Sequence, residues 1–385
     1  MLSVEDYRIV QKLESNPLMP YTEFASELGI SWPTAKKRVN ELKARGVIRT
    51  PVAIYSNETL SLHRMSFIWT LESRKDLSLM ETFCDIHPYT HYRCRGYGRG
   101  FILFTQFDVP PEVIPQMNEL STVLQEEQYV RDITTLESSG TRLETFPNLQ
   151  HFDLDAREWI FDWKEWLSLI PQQSEVLKPR TPAPLLSLKE WEPIDFQILR
   201  KLTANAETKQ AELMREFGLS RTETHRRYNK VFENLISSVR LRYNRILFDL
   251  VNTNLFWIQH PEKAQLHRLF NLMSNSPPPF RMGLDILKQN GFFLWAGAVP
   301  SIHEHHLAFS LWQLFETFET YTLDTSADNA AIYWFYPNNF DFETQYWITD
   351  REYVIEQPLK ELEAHSSSPP KTKEQKTQPL ISHYY

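Results

Sequence analysis

The sequence predicts an α+β protein built as two tandem halves, each opening with a small helical unit and continuing into alternating strands and helices. Three observations carry this. Apolar residues recur at helical spacing over the first 48 residues; a strand-rich period takes over from Ser66 to Leu136; and the opening pattern returns at one fixed offset. In that return Asp6, Ile9, Leu13, Gly29, Ser31, Arg38 and Asn40 reappear, without a gap, as Asp195, Ile198, Leu202, Gly218, Ser220, Arg227 and Asn229.

The first helix is expected over Val4 to Leu13, with Asp6 near its start and Tyr7, Val10 and Leu13 on one face. Asn16, Pro17 and Pro20 break the chain. The stretch from Thr22 to Ile48 then reads as helix, tight turn, helix. Phe24, Ala25 and Leu28 share a face, Gly29 can leave the helix at positive φ, and Ser31 can cap the next one, in which Ala35, Val39 and Leu42 face inward. Lys36, Lys37 and Asn40 point outward, and Gly46 precedes a strand from Val47 to Tyr55. Three helices and a strand make a winged helix-turn-helix, whose basic outer face suits a major groove.

Behind it, Ser66 to Leu71 and Phe101 to Phe107 are β-rich runs, Leu77 to Ile86 and Pro111 to Leu124 are amphipathic, and Val130 to Leu136 is again a strand. That order is ferredoxin-like, βαββαβ. Gly100-Phe101-Ile102-Leu103 is echoed by Gly291-Phe292-Phe293-Leu294, so the second half is expected to carry the same domain. The expected boundaries are 1–55 and 189–245 for the winged units, 60–150 and 246–362 for the βαββαβ domains, 151–188 for a linker and 363–385 for a disordered tail. In the linker, Trp159, Trp163 and Trp166 would line one face of a helix over Asp155 to Ile170, packing against a domain, and Pro171 to Pro184 would be extended.

Composition narrows the classes. The 385 residues are 42 % hydrophobic and 13 % aromatic, enough for several packed cores. No apolar run approaches the roughly 18 to 20 residues that span a bilayer, and the first residues lack a signal-peptide order, so a cytoplasmic protein without membrane contact is expected. Cys84 and Cys94 cannot build a disulfide framework. A net charge of −8 disfavours a generic polyanion binder, yet Ser31 to Thr50 carries Lys36, Lys37, Arg38, Lys43, Arg45 and Arg49 against Glu41 alone.

The pattern Asp6-x-x-Ile9, Phe24-Ala25-x-x-Leu28-Gly29-Ile30-Ser31-x-x-Thr34, Arg38-Val39-x-x-Leu42-x-x-x-Gly46-Val47-Ile48, followed by βαββαβ, resembles the Lrp/AsnC (feast/famine) transcription regulators. The resemblance implies double-stranded DNA as partner, a small-molecule effector such as an amino acid, and self-association through the βαββαβ domains. With two winged units, one chain would act as a pseudo-dimer on an imperfect two-fold operator. On this reading Ser31, Trp32, Thr34, Lys36, Lys37, Arg38, Lys43, Arg45 and Arg49 of the first copy contact DNA, joined by Ser220, Arg221, Thr222, Thr224, His225, Arg226 and Arg227 of the second. Arg240, Arg242 and Arg245 form a wing-like basic run, and Gly96, Gly98 and Gly100 are the effector-loop candidates.

No Ser/His/Asp or phosphate-loop signature is present, so no catalytic residues, no cofactor and no metal are expected, and the chain is read as a regulator and not as an enzyme. Cys84, His87, His91 and Cys94 have ligand chemistry but the wrong spacing for zinc, and His303, His305 and His306 read as a polar loop. Two alternatives stand beside the regulator. Sirohaem decarboxylases share the Lrp-like architecture, and that resemblance would draw on His87, His91, Arg93, Arg95 and His303; a winged-helix interaction scaffold is the other.

Overall fold

The computed structural model describes residues 2–177, 188–289, 291–326, 328–366 and 381–382. Helix α1 (Val4–Ser15) starts at a capping box in which Ser3 accepts from the Asp6 amide while Asp6 accepts from Ser3. Helix α2 (Tyr21–Leu28) ends at Gly29, whose φ of +67° makes the turn into α3 (Trp32–Ala44), capped by Ser31. Phe24, Ala35, Val39 and Leu42 are buried as their spacing requires. Strand β1 (Ile48–Tyr55) completes the unit.

Strand β2 (His63–Leu71), helix α4 (Arg74–Ile86), strands β3 (Thr90–Tyr97) and β4 (Phe101–Val109), helix α5 (Ile114–Glu126) and strand β5 (Asp132–Glu144) follow. A small hairpin of β6 (Phe152–Asp153) and β7 (Glu158–Trp159) leads to α6 (Trp163–Ser168). The helix expected from Asp155 therefore starts later. Arg157 takes φ +58° to turn the hairpin, and the Asp162 carboxylate caps α6 by accepting from Lys164 and Glu165. All three tryptophans are buried. Residues 173–177 run beside a later helix, where Asn271 donates to the Ser174 carbonyl at 2.8 Å. The rest of the stretch expected to be extended, from 178 on, lies outside the described residues.

The second winged unit is α7 (Pro193–Ala204), α8 (Gln210–Phe217), α9 (Arg221–Leu235) and β8 (Ile236–Tyr243), with Gly218 at φ +64°. Then come β9 (Asn252–Gln259), α10 (Lys263–Asn275), β10 (Met282–Leu287), β11 (Gly291–Val299), α11 (Ser301–Leu314), β12 (Glu319–Asp324) and β13 (Ala330–Tyr333). A second hairpin, β14 (Phe340–Asp341) with β15 (Tyr346–Trp347), precedes a π-helical turn and α12 (Gln357–Ser366). Most of the tail expected to be disordered lies outside the described residues.

The two βαββαβ stretches do not stand as separate sheets. Their strands run β12-β9-β11-β10-β5-β2-β4-β3, and β3 pairs back to β12, so eight strands close into one barrel. An open four-stranded sheet leaves two unpaired edges, and here each edge finds its partner in the other half: β5 against β10, with Arg142 opposite Asp285, and β3 against β12, with Gly96 opposite Leu323. Tyr92, Phe104, Leu136, Leu255, Phe293 and Leu323 fill the interior, so it is a packed core and not a pore.

The outer cores cross as well. The first winged unit shares its core with Phe256, Leu269, Phe280 and Phe292 of the second half, and the second winged unit shares its core with Phe67, Phe83, Phe107 and Leu120 of the first. Helix α12 packs on α4, and α6 on α11. No helix among the described residues is long and apolar enough to cross a membrane.

Candidate functional site: an arginine-lined cleft under the wing ribbon

The two wing strands pair with each other. Strands β1 and β8 form an antiparallel ribbon from Ile48 opposite Tyr243 to Tyr55 opposite Ile236. The basic run on β8 and just after it turns toward the protein: Arg240 bonds Glu144 at 3.1 Å, Arg242 donates to the Thr50 carbonyl at 3.1 Å, and Arg245 donates to the Gly297 carbonyl at 3.1 Å. The expectation of a wing-like surface made by these arginines is corrected by that pairing.

Two cavities lie between ribbon and barrel. One, of about 90 Å³, is lined by Tyr55, Arg64, His91, Arg142, Glu144 and Trp295; the other, of about 260 Å³, by Glu14, Phe146, Tyr243 and Arg245; Arg240 and Arg281 border both. Arg281 reaches Glu144 at 3.3 Å and lies over the Trp295 ring, with its guanidinium carbon 4.7 Å from the ring centre. Asp108, which borders neither cavity, holds Arg64 and Tyr55 of the smaller one in place. It accepts two bonds from Arg64 at 2.7 Å each, one from Tyr55 at 2.7 Å and one from Asn57 at 2.8 Å. Arg64 and these donors hold its carboxyl well below the usual range although burial opposes them. His91 lies 3.2 Å from the Tyr55 hydroxyl, and burial together with Arg64 lowers its pKa to about 3, so the ring is neutral at pH 7.

Of the five residues drawn from the decarboxylase resemblance, only His91 reaches this cleft. His87 is buried among Phe83, Phe107 and Tyr89. Arg93 pairs with Glu81, Asp85 and Tyr333, and Arg95 with Glu81. His303 accepts from the Trp163 indole at 2.9 Å and sits at a separate groove between α6 and α11, on helix α11 and not in a loop. Cys84 belongs to an outer core and Cys94 to the barrel interior, so the Cys/His set does not converge. Among the described residues no cluster of metal-ligand side chains forms.

Two of the three glycines serve closure of the barrel. A Cβ on Gly96 would lie 2.8 Å from the Thr322 carbonyl oxygen, and one on Gly98 2.7 Å from that of Thr320. Only glycine lets β12 approach β3 there. Gly100 ends the same hairpin, its carbonyl accepting from Gly98. The packing role belongs to Gly96 and Gly98; a Cβ on Gly100 would find nothing nearer than 3.8 Å.

On α3, Ser31 caps the helix and bonds Thr34, Trp32 is 53 % exposed, and Lys36 and Lys37 extend outward, Lys36 5.9 Å from the Trp32 ring centre. Arg38 and Arg45 face Asp6 at 4.0 and 3.4 Å, and Lys43 binds Glu207 of the second winged unit at 2.7 Å. Arg49 is exposed on β1. On α9, Ser220 is the cap, and Arg221, Thr222, His225 and Arg226 are exposed, with Arg226 paired to Glu223. Thr224 and Arg227 are corrections: Thr224 is 1 % exposed and donates to the Ser220 carbonyl, while Arg227 is 7 % exposed and bridges Glu192, Asp195 and Glu223. Neither presents a surface to DNA.

Sequence reasoning missed Arg64, Arg142, Arg281, Asp108 and Glu144. Their signal was weak: single charges at strand ends, gathered only when the barrel closes.

Two segments, residues 6–49 and 192–231, match the winged helix-turn-helix DNA-binding family model. No curated protein matches the chain. Among solved structures the chain is similar to the siroheme decarboxylase NirDL at 14 % identity, covering 94 % of this chain and 99 % of that one with a TM-score of 0.52. It is also similar to that enzyme in co-complex with an iron-uroporphyrin III analogue, at 14 % identity and a TM-score of 0.48 over the same shares. An AsnC family transcriptional regulator from Agrobacterium tumefaciens matches at 17 % identity over 36 % of this chain and 92 % of that one, with a TM-score of 0.31. The near full-length likeness is one of fold, and the protein that shares it is an enzyme. It overturns the expectation that the chain has no enzymatic role.

Proposed function

We propose that the chain binds a polycarboxylated tetrapyrrole of the sirohaem class in the cleft and removes carbon dioxide from its acetate side chains. The arginine-lined cleft carries this reading. Arg64, Arg142, Arg240 and Arg281 converge from four strands or strand ends, and Trp295 offers an aromatic face beside them. The fold likeness to NirDL supports it. The larger groove at His303, of about 760 Å³, suits a polyanion less well, because Arg157 and Lys164 there are balanced by Glu158, Asp162 and Asp249.

Arg240 and Arg281 now share Glu144, so substrate carboxylates would replace that shared partner with bidentate pairs of their own. A tetrapyrrole exceeds either cavity, so binding entails parting of the ribbon from the barrel along Arg240, Glu144 and Arg281. In the reaction the bond from the methylene to the carboxylate carbon breaks, its electron pair stays on the methylene and spreads into the pyrrole ring, and one proton completes the methyl group. His91, neutral at pH 7, is a hydrogen-bonding group on the lining of the smaller cavity and not the proton store. The test is anaerobic titration with sirohaem. Stoichiometric binding by the wild type, weakened about 10-fold or more in an Arg240→Ala protein that keeps the wild-type circular dichroism at the assay temperature, is expected; equal affinity in both proteins would refute the assignment of the cleft.

A second reading rests on its own observation, the exposed Trp32, Lys36 and Lys37 at the start of α3 within a segment matching the winged helix-turn-helix DNA-binding model. On that reading the chain acts on double-stranded DNA as a single-chain pseudo-dimer, its two winged units held together by the β1–β8 ribbon.

A further inference from the structure

The cleft holds a carboxyl group that the binding role does not use. Glu14 lies in the last turn of α1, where the helix dipole favours a cation, and it borders the cavity that Arg240, Arg242, Arg245 and Arg281 otherwise surround. The charged and titratable groups that line this cavity with it are these four arginines and Tyr243, of which Arg240 and Tyr243 interact with it, and Glu144 pairs with Arg240 and Arg281. The cavity is walled by apolar Phe146, Pro147 and Leu241 as well. Once substrate carboxylates pair with the arginines, the Glu14 carboxyl is the acid left on that wall of the cavity.

Resting on the tetrapyrrole reading above, we propose that Glu14 is the acid that protonates the methylene carbon as carbon dioxide departs. The balance is complete without an oxidant: the acetate loses its carboxyl carbon as carbon dioxide, the electron pair left on the methylene takes the Glu14 proton, and the Glu14 carboxylate is reprotonated from solvent. Burial raises the Glu14 pKa to about 7 against the pull of Arg240, so a large share of the protein carries the proton at neutral pH. An anionic substrate beside it would raise that share further.

The experiment is single-turnover conversion of sirohaem by the full chain, wild type against Glu14→Gln and Glu14→Asp, with binding followed by absorbance in the same samples. Glu14→Gln is expected to bind sirohaem within about 3-fold of wild type yet to lose about 100-fold or more in rate. The wild-type rate is expected to fall as pH rises past about 7, and Glu14→Asp to restore part of the rate with that limb displaced. Glu14→Gln turning over at the wild-type rate with the same pH limb overturns the proposal while leaving the tetrapyrrole reading intact. Wild type that binds no sirohaem, or binds it without conversion, overturns both. A Glu14→Gln protein that loses binding in proportion to rate assigns Glu14 to substrate positioning and overturns the proton-donor role.

Discussion

The indole nitrogen of Trp347 donates to the backbone carbonyl of Leu60 at 2.9 Å, tying the end of the second half to the entry of the first barrel strand. The same bond is made in the opposite sense by Trp159, which donates to the Phe248 carbonyl at 2.6 Å. In both places the residue after the acceptor, Ser61 or Asp249, has a φ of +54°, and in both the tryptophan closes a hairpin of two-residue strands that begins Phe-Asp. Each half is therefore latched by the segment that follows the other.

Trp347 also stacks on Phe196 and meets Phe335 and Phe340, so Trp347→Ala removes a buried ring from the core of the second winged unit. A loss of about 3–5 kcal/mol is expected in denaturant unfolding. A loss under about 1 kcal/mol would show that the latch is not structural.

Asp108→Asn leaves Arg64 buried with a weakened partner. Breaking a buried pair in this way costs about 3–5 kcal/mol, and Arg64→Ala should cost a similar amount. If the double substitution to neutral residues is much less harmful than either single one, the uncompensated charge is the cause.

Acid should destabilise the protein through two histidines. Burial lowers both His87 and His91 to about 3, below the ordinary value of about 6.5, so the unfolded chain binds protons that the folded chain refuses. Stability is full above about pH 6.5 and falls on acidification toward pH 3, by up to about 1.4 kcal/mol per unit for each ring. Asp108, held below its usual range, adds a further loss below about pH 4. His87→Phe should flatten part of the pH 4 to 6.5 slope seen in urea titrations; an unchanged slope contradicts the assignment.

Gly98→Ala places a methyl against the Thr320 carbonyl where β12 meets β3. Strain of about 1–3 kcal/mol is expected at this seam, while Gly100→Ala, whose Cβ would find nothing nearer than 3.8 Å, should cost less. Equal effects would remove the closure argument.

Lys36→Glu with Lys37→Glu tests the DNA reading alone. Loss of salt-dependent duplex binding with an unchanged melting temperature is expected, because both side chains are exposed. Unaltered duplex affinity would take α3 out of the interface.

Local features were legible in the sequence. Ser31 and its counterpart Ser220 cap helices, Gly29 and Gly218 turn them, and the strand runs fall where branched and aromatic residues cluster. What failed was long-range pairing. Nothing local in Arg142 or Asp285 says that β5 meets β10, nothing in β1 says that β8 is its partner, and so Arg240, Arg242 and Arg245 were read outward when they point in. The tryptophan stripe failed for the opposite reason: its spacing fits a helix, but the Asp162 cap and the turn at Arg157 divide it. Thr224 and Arg227 lie one helical turn from exposed neighbours, and only the acids Glu192 and Asp195 decide that Arg227 is drawn inside.

The decisive measurement is a mass spectrum of sirohaem recovered after anaerobic incubation with a stoichiometric amount of the purified chain. Recovery of a product that has lost carbon dioxide from its acetate side chains, abolished in Arg240→Ala with Arg281→Ala, is the expected result. Unchanged sirohaem from a wild-type protein that has bound it would contradict the enzyme reading, and would leave the cleft as a binding site and α3 as the functional surface.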